Sequence, residues 1–341
     1  MRRVLQICPH DSAPFDALCA RYVEAGAAVG VEVTSLFLSA PAAQPMAYAD
    51  YLSAPDLSDT TALRTALQPL AQQPWDLVVC HRYRSYWAVA KSPLARNPCV
   101  VVAHEFGLLK RWQRRLNRRL FARRFRFAGV SASLAGELAG VVGYALVLPN
   151  VVDIDTVRGA LLSREQARSR LGLEQQAYVI GVVGRLHYKK RPALAAAAFR
   201  LFHRKHPAAQ LVFFGDGDRE SLGTAAKDED VHVLGYVPEA ARYMRSIDVL
   251  LHTAAAEPFG MVVLEAMSAG VPVVVLPHSG PHDILGDLGI YADQDTPEGF
   301  AAALQRAVNI DRAAYERDAL QRINQHFSLP VLAEKLDALM S

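Results

Sequence analysis

Ten short apolar runs, separated by segments of helical periodicity, constrain this 341-residue chain more than any other feature. In the first half they are Val4–Cys8, Val31–Leu38, Leu77–Cys80, Val100–His104 and Ala145–Leu148. In the second they are Tyr178–Val183, Gln210–Phe214, Val231–Leu234, Val249–Thr253 and Val271–Leu276. Most are continuous rather than alternating, as parallel strands covered on both faces require. Helical patterns fall between them, for example Phe15–Ala28, Arg164–Leu171, Pro192–His206 and Glu298–Asn309. That alternation predicts parallel sheets joined by crossover helices. Two such series predict an α/β protein of two doubly wound, Rossmann-like domains facing each other across a cleft. Ligands are then expected at the carboxyl ends of the strands.

The length suits two domains of ordinary size, and with 51% hydrophobic residues neither lacks core material. The junction is expected at 150–175, where Pro149-Asn-Val-Val-Asp153 leaves the first domain. We place the domains at 1–155 and 156–327. A last helix, 328–341, opens on Ser328 in N-cap position. No apolar run approaches the roughly 20 residues that span a bilayer, and the N-terminus reads as a first strand rather than a secretory signal. Cys8, Cys19, Cys80 and Cys99 have no metal-site spacing and lie in apolar surroundings, so buried free thiols and a cytoplasmic location are expected.

Candidate chemistry centres on Glu257-Pro-Phe-Gly-Met-Val-Val-Leu-Glu265, directly after the apolar run Asp248–His252. The order reads as strand, tight loop, then a helix opening near Gly260 and ending at Gly270, with Pro272 starting the next strand. The free amides of such a helix start favour an anion. Glu265, just over one turn in, can accept hydrogen bonds from a diol, and Glu257 sits on the loop at the mouth. A ligand with a central phosphate and hydroxyls at both ends fits this arrangement, as a nucleotide sugar does.

The same stretch, Glu-x7-Glu with Phe-Gly inside it, resembles the signature of retaining nucleotide-sugar glycosyltransferases of the two-Rossmann (GT-B) architecture, in the family numbered four. Val183-Gly-Arg-Leu-His-Tyr-Lys-Lys190, Phe214-Gly-Asp-Gly-Asp218, Leu234-Gly-Tyr-Val-Pro238 and Pro149-Asn-Val-Val-Asp153 are similar to its other landmarks, in the family's order. The likeness is close in the second half and loose in the first. It implies sugar transfer from a UDP- or GDP-sugar to a saccharide or lipid-linked acceptor, in bacterial cell-surface glycan assembly, with no metal or other cofactor. It also implies that the last helix crosses back to the first domain.

Site residues follow from the two readings together. Arg185 and Lys190, with Gly184, come after the strand Tyr178–Val183 and suit the two phosphates. The amides of Gly260, Met261 and Val262, beside Phe259, add donors. Glu265 goes to the ribose hydroxyls or else stabilises its helix start. Val237 and its backbone neighbours go to the base. Glu257 goes to the transferred sugar, where it either stabilises positive charge at the anomeric carbon or holds hydroxyls. Arg191 stands where the family has a small residue or Asn, and either alters the phosphate contacts or points to solvent. Asp216-Gly-Asp218 has a metal-binding pattern elsewhere but reads here as a strand-end turn. His104 is expected near the sugar. His10 and Asp11 replace the family's Gly-Gly loop and are candidates for the acceptor. The remaining histidines show no convergent partners.

Charge is uneven. Residues 1–150 carry 17 Lys+Arg against 10 Asp+Glu, and nine of those basic residues fall in 110–126. Trp112, Leu116 and Leu120 recur as on one helix face. Such a helix either packs its apolar stripe on the core or lies on an anionic membrane surface, as a peripheral protein on the cytoplasmic face of the inner membrane would. Nucleic acid is not expected, because no recognition module accompanies the charge. Other assignments compatible with parts of this pattern are a GT-B epimerase or phosphorylase, a metal-dependent transferase, and a non-catalytic membrane-surface protein.

Overall fold

The first strands set the pattern of the whole chain. In β1 (Arg2–Cys8) every residue from Val4 onward is buried, and it pairs in parallel with β2 (Val31–Phe37) on one side and β4 (Leu77–His81) on the other. The computed structural model describes residues 1–12, 14–42, 44–52, 60–115 and 125–341. These also include β3 (Ala49–Tyr51), β5 (Cys99–Ala103), β6 (Phe125–Gly129) and β7 (Leu146–Val147). The order is β3-β2-β1-β4-β5-β6-β7. β4 and β5 are buried at every residue, which explains why they read as unbroken apolar runs.

A second parallel sheet holds β8 (Tyr178–Val183), β9 (Ala209–Phe214), β10 (Val231–Val233), β11 (Val249–Leu251), β12 (Val273–Val275) and β13 (Ile290–Tyr291), in the order β10-β9-β8-β11-β12-β13. The chain divides into two units, Met1–Val151 with Phe327–Ser341, and Val152–His326. The fold is therefore the expected α/β one of two Rossmann-like domains. In each sheet the order reverses at one point, between β1 and β4 in the first unit and between β8 and β11 in the second.

Local signals are obeyed at several helix ends. Ser163 and Gln166 form a reciprocal capping box on the helix Arg164–Leu171, which Gly172 closes in the left-handed conformation. Ser328 does stand at the N-cap of the helix Leu329–Met340, but its side chain makes no capping hydrogen bond. That helix is tied within the first unit, by Arg2–Asp337 at 2.6 Å, by Lys335 Nζ donating to the Val147 carbonyl at 3.2 Å, and by Arg126 donating to the Leu339 carbonyl.

The basic segment departs from a single helix. Phe125 and Arg126 open β6, so Phe125 is buried in the sheet and does not continue a helical stripe. Residues 112–115 are helical, and Trp112 is 69% exposed. Residues 116–124, on which the lipid-binding expectation mainly falls, lie outside the described residues. Among the described residues no helix is long and apolar enough to cross a membrane. All four cysteines are free and buried.

One buried charge cluster organises the second unit. Asp248, immediately before β11, accepts the Val179 amide of β8 at 2.8 Å, Arg164 at 2.5 Å and Arg168 at 2.8 Å. Arg168 is fully buried, and its other N–H groups donate to the carbonyls of Ser246, Glu174, Gln175 and Ala177 at 2.8–2.9 Å. Arg312 donates to the Asp248 carbonyl at 2.8 Å. Removing the carboxylate strands a buried guanidinium. Asp248→Ala should therefore destabilise the second unit by about 3–5 kcal/mol, read as a lowered urea midpoint. An unchanged midpoint would show that the cluster is idle.

Candidate active site

The carboxyl ends of β8 and β11 carry the groups expected to bind an anion. Gly184 follows β8 and is held by its amide donating to the Phe214 carbonyl at 2.9 Å. Next to it, Arg185 is exposed and forms no ion pair among the described residues. After a tight turn, Tyr188–Lys190, the chain is pinned by Thr253 Oγ1, which donates to the Lys190 carbonyl at 2.7 Å. A small pocket lies at this reversal point, lined by Gly184, Arg185, Lys190, His252 and Thr253.

The Asp216-Gly-Asp218 turn braces the Arg185 loop from the β9 side. The Leu186 amide donates to the Asp216 carbonyl at 2.9 Å, and the Asp218 amide donates to the Leu186 carbonyl at 3.0 Å. The two carboxylates bond backbone amides of the same turn, Gly217 at 2.8 Å and Glu220 at 3.0 Å. Gly215 approaches so closely that a Cβ there would stand 2.0 Å from the Gly184 carbonyl oxygen. No side chain fits at that position.

Lys190 and Glu257 form an ion pair with each other. His252, 95% buried at the end of β11, puts Nε2 at 3.6 Å from the same Glu257 oxygen. Burial by itself would raise the Glu257 carboxyl, but His252 and the Lys190 ammonium outweigh it and hold it down at about 2. Glu257 is thus an anion at neutral pH and cannot serve there as a proton donor. Arg191 is turned to other work. It sits in the left-handed region at φ 54°, stands at the N-cap position of the helix Pro192–His203 without a capping hydrogen bond, and pairs with Asp295 at 2.6 Å.

Gly260 is the N-cap of the helix Met261–Ser268, and no side chain caps that end. The first amides of such a helix, here those of Gly260, Met261 and Val262, have no intrahelical acceptor. Phe259 is buried beneath them. Glu265, half-buried on this helix, has its carboxyl raised by burial alone, and among the described residues no ion pair or hydrogen bond holds it. Val237 is half-buried next to the exposed Tyr236.

Two contributors were not picked out in the sequence. Gly280 donates its amide to the Glu257 carbonyl at 2.9 Å, and a Cβ on it would meet the Phe259 backbone at 2.5 Å. It therefore sets the position of the Glu257 loop. The signal available was Ser279-Gly-Pro281 just after β12. His252 is the second. No motif singles it out among the histidines, but its place just after β11 marks it by the strand-end rule.

In the first unit His104 follows β5 and shares a 3.0 Å hydrogen bond with His81, the last residue of β4. This corrects the view that no other histidine has a convergent partner. Burial pushes both imidazoles down, His81 to about 3, and for His104 the charges of His81 and Arg82 add to the effect. Both rings are neutral at physiological pH. His10 bonds Ser12 Oγ at 2.8 Å. Asp11 is buried with both oxygens on the Ala42 amide, at 3.2 and 3.1 Å, so its carboxylate holds a loop.

Comparison with known proteins places this geometry. Residues 177–309 match the family model described as Glycosyl transferases group 1. A glycogen synthase of Mycobacterium tuberculosis is 31% identical over 223 residues, covering 60% of this chain and 50% of that protein. The chain spans about half the length of the curated relatives it matches. Among solved structures, a sucrose-phosphate synthase from Thermosynechococcus elongatus aligns over 99% of this chain and 98% of its own, with a TM-score of 0.79 at 17% identity. Anabaena HepE, solved in complex with UDP and glucose, aligns over 99% of each chain, with a TM-score of 0.77 at 18% identity. These two likenesses speak for the fold. Matched segment, motif order and architecture agree: residues 177–309 are similar to the glycosyl transferases group 1, and the chain has the GT-B fold.

Proposed function

We propose that the protein moves a sugar from a nucleotide-sugar donor, UDP- or GDP-linked, to a saccharide or lipid-linked acceptor in bacterial cell-surface glycan assembly. The observation that carries this reading is Glu265, a half-buried carboxylate with no cation beside it among the described residues, on a helix whose N-terminus no side chain caps. Such a carboxylate raises the energy of the free protein until hydroxyl donors reach it, and the ribose of a nucleotide supplies two. The bound UDP of HepE supports a nucleotide at this fold.

In this reading Arg185, Lys190 and the amides of Gly260, Met261 and Val262 hold the diphosphate. They stabilise the charge that develops as the sugar–phosphate bond breaks. These groups supply the positive charge that a divalent ion would, so transfer proceeds without a metal. Gly184 and Phe259 shape the loops that present them, and Val237 lies against the base. Lys190 keeps Glu257 ionised, and the anion then steadies positive charge at the anomeric carbon or holds sugar hydroxyls. Neither Glu257 nor the neutral His104 is a strong base, so a donor phosphate oxygen takes the acceptor proton. Attack comes from the face the leaving group departs, with retention of configuration. His104 offers one hydrogen bond to a hydroxyl, and His10 contributes to the acceptor side. Orientation and fixed electrostatics supply the rate.

Arg185→Ala and Lys190→Ala should each lose at least ~10²-fold in turnover, as when one charge-stabilising donor is removed. Near-normal rates in both would sink the diphosphate assignment. A thermal-shift panel of UDP-, GDP- and ADP-sugars should show one donor raising the melting temperature through selective binding to the folded state.

The pH dependence has a definite sign. Ribose hydroxyls donate to the ionised form of Glu265, whose carboxyl is raised by burial. Donor affinity should therefore fall as pH drops through that raised value, and Glu265→Gln should bind more weakly with a flat profile over the same range. A wild-type profile that stays flat would remove Glu265 from the ribose.

A further inference from the structure

A second polar cluster lies at the reversal point of the first unit, around one buried ring. Phe15 has His10 at 5.1 Å, His104 at 5.4 Å, His81 at 6.4 Å and the Arg82 guanidinium at 4.9 Å from its centroid. Arg82 is the first residue of the helix Arg82–Ala90, whose N-cap, His81, makes no side-chain capping bond. Two observations set this cluster apart from ordinary packing. Arg82 holds φ at 67°, a left-handed conformation that costs a side-chain-bearing residue free energy. Also, Arg82 Nε and His81 Nε2 are buried without a hydrogen-bond partner, and His81 is fully buried. Among the described residues no carboxylate pairs with Arg82. Asp76, the nearest in sequence, accepts the Arg3 amide at 2.7 Å, and Asp11 is already committed to the Ala42 amide.

A guanidinium with no counter-ion among the described residues, an uncapped helix start and a buried unpaired ring nitrogen have one shared complement, an oxyanion. We propose that Arg82, assisted by His81 and His10, binds a phosphate or carboxylate carried by the acceptor, so that the acceptor is an anionic molecule. This rests on the glycosyl-transfer reading above and sharpens its acceptor class. Arg82 fixes the acceptor's charged group on β4 while His104, bonded to His81, is left to meet a hydroxyl. The strained backbone at 82 is what turns the arginine onto Phe15 rather than outward along its helix.

The test follows the ring protons of His10, His81 and His104 by NMR as the protein is titrated with inorganic phosphate, and separately with acetate. Saturable shifts are expected, and the tighter of the two anions names the acceptor's group. Arg82→Gln should weaken that binding about tenfold or more, as expected for loss of a charge-assisted bond, and Arg82→Lys by less. Arg82→Gly relieves the left-handed strain, so it should melt higher while losing the anion, which separates binding from folding. Anion affinities that are equal in wild type, Arg82→Gln and Arg82→Gly would overturn the proposal. UDP affinity, read by thermal shift, should be unchanged in Arg82→Gln. A matching loss of UDP affinity would assign the anion to the donor and overturn the acceptor claim. Absence of UDP binding to the wild type would instead count against the donor reading, leaving the phosphate titration to stand or fall by itself.

Discussion

The second unit depends on one carboxylate. Asp248 bonds the Val179 amide at the start of β8 and stands directly before β11, so it fixes where these two strands begin relative to each other. A parallel pair has no hairpin to set its register, and a slip of one residue would turn every side chain to the wrong face. Here Ile180 stands opposite Val249 and Gly181 opposite Leu250. Desolvation offsets much of the attraction between Asp248 and Arg168, so the cluster's main effect is on alignment rather than on net stability. The far ends of the same two strands lead into Arg185 and His252. Alignment set at one edge of the sheet therefore reaches the candidate site at the other.

What could be read from the sequence was what a single segment encodes. Continuous apolar runs gave β4, β5, β8 and β11 because both sheet faces are covered there. Phe15–Ala28 and Arg164–Leu171 appeared with the bounds expected, since the periodicity of both and the caps of the second are local. β6 was missed because Arg126 interrupts its apolar run and a basic stretch precedes it. β13 is two residues long, too short for any period. At the site, Arg185, Lys190, Glu257 and Glu265 were legible through motif spacing. Their mutual relations were not. The Lys190–Glu257 ion pair joins residues 67 apart in the chain, and the His81–His104 bond joins residues 23 apart. Neither distance leaves a trace in local pattern.

The ion pair changes how the site's charges are to be understood. Of the charged groups read from the motifs near the reversal point, Lys190 and Glu257 already neutralise each other. Arg185 and Glu265 have no such partner among the described residues. A ligand that brings both an anion and hydroxyl donors answers both at once. A ligand with only one of these leaves the other unanswered. Free phosphate, or a nucleoside lacking phosphate, should thus gain less from this site than the sum of its contacts suggests, because the remaining group keeps its cost.

In both units unpaired polar groups lie where strand order reverses, and the reason is topological. At a reversal the two flanking chains run to opposite faces of the sheet, so no crossover helix covers the strand ends between them. Polar groups there have only water or a ligand to meet. Selection for folding alone would put glycine at position 82, where φ is 67°, and an apolar residue in place of the half-buried Glu265. Each exception destabilises the free protein, and each points a charge toward the same kind of open edge. Where a chain accepts such costs at two equivalent places, the stabilisation that offsets them comes from molecules bound there.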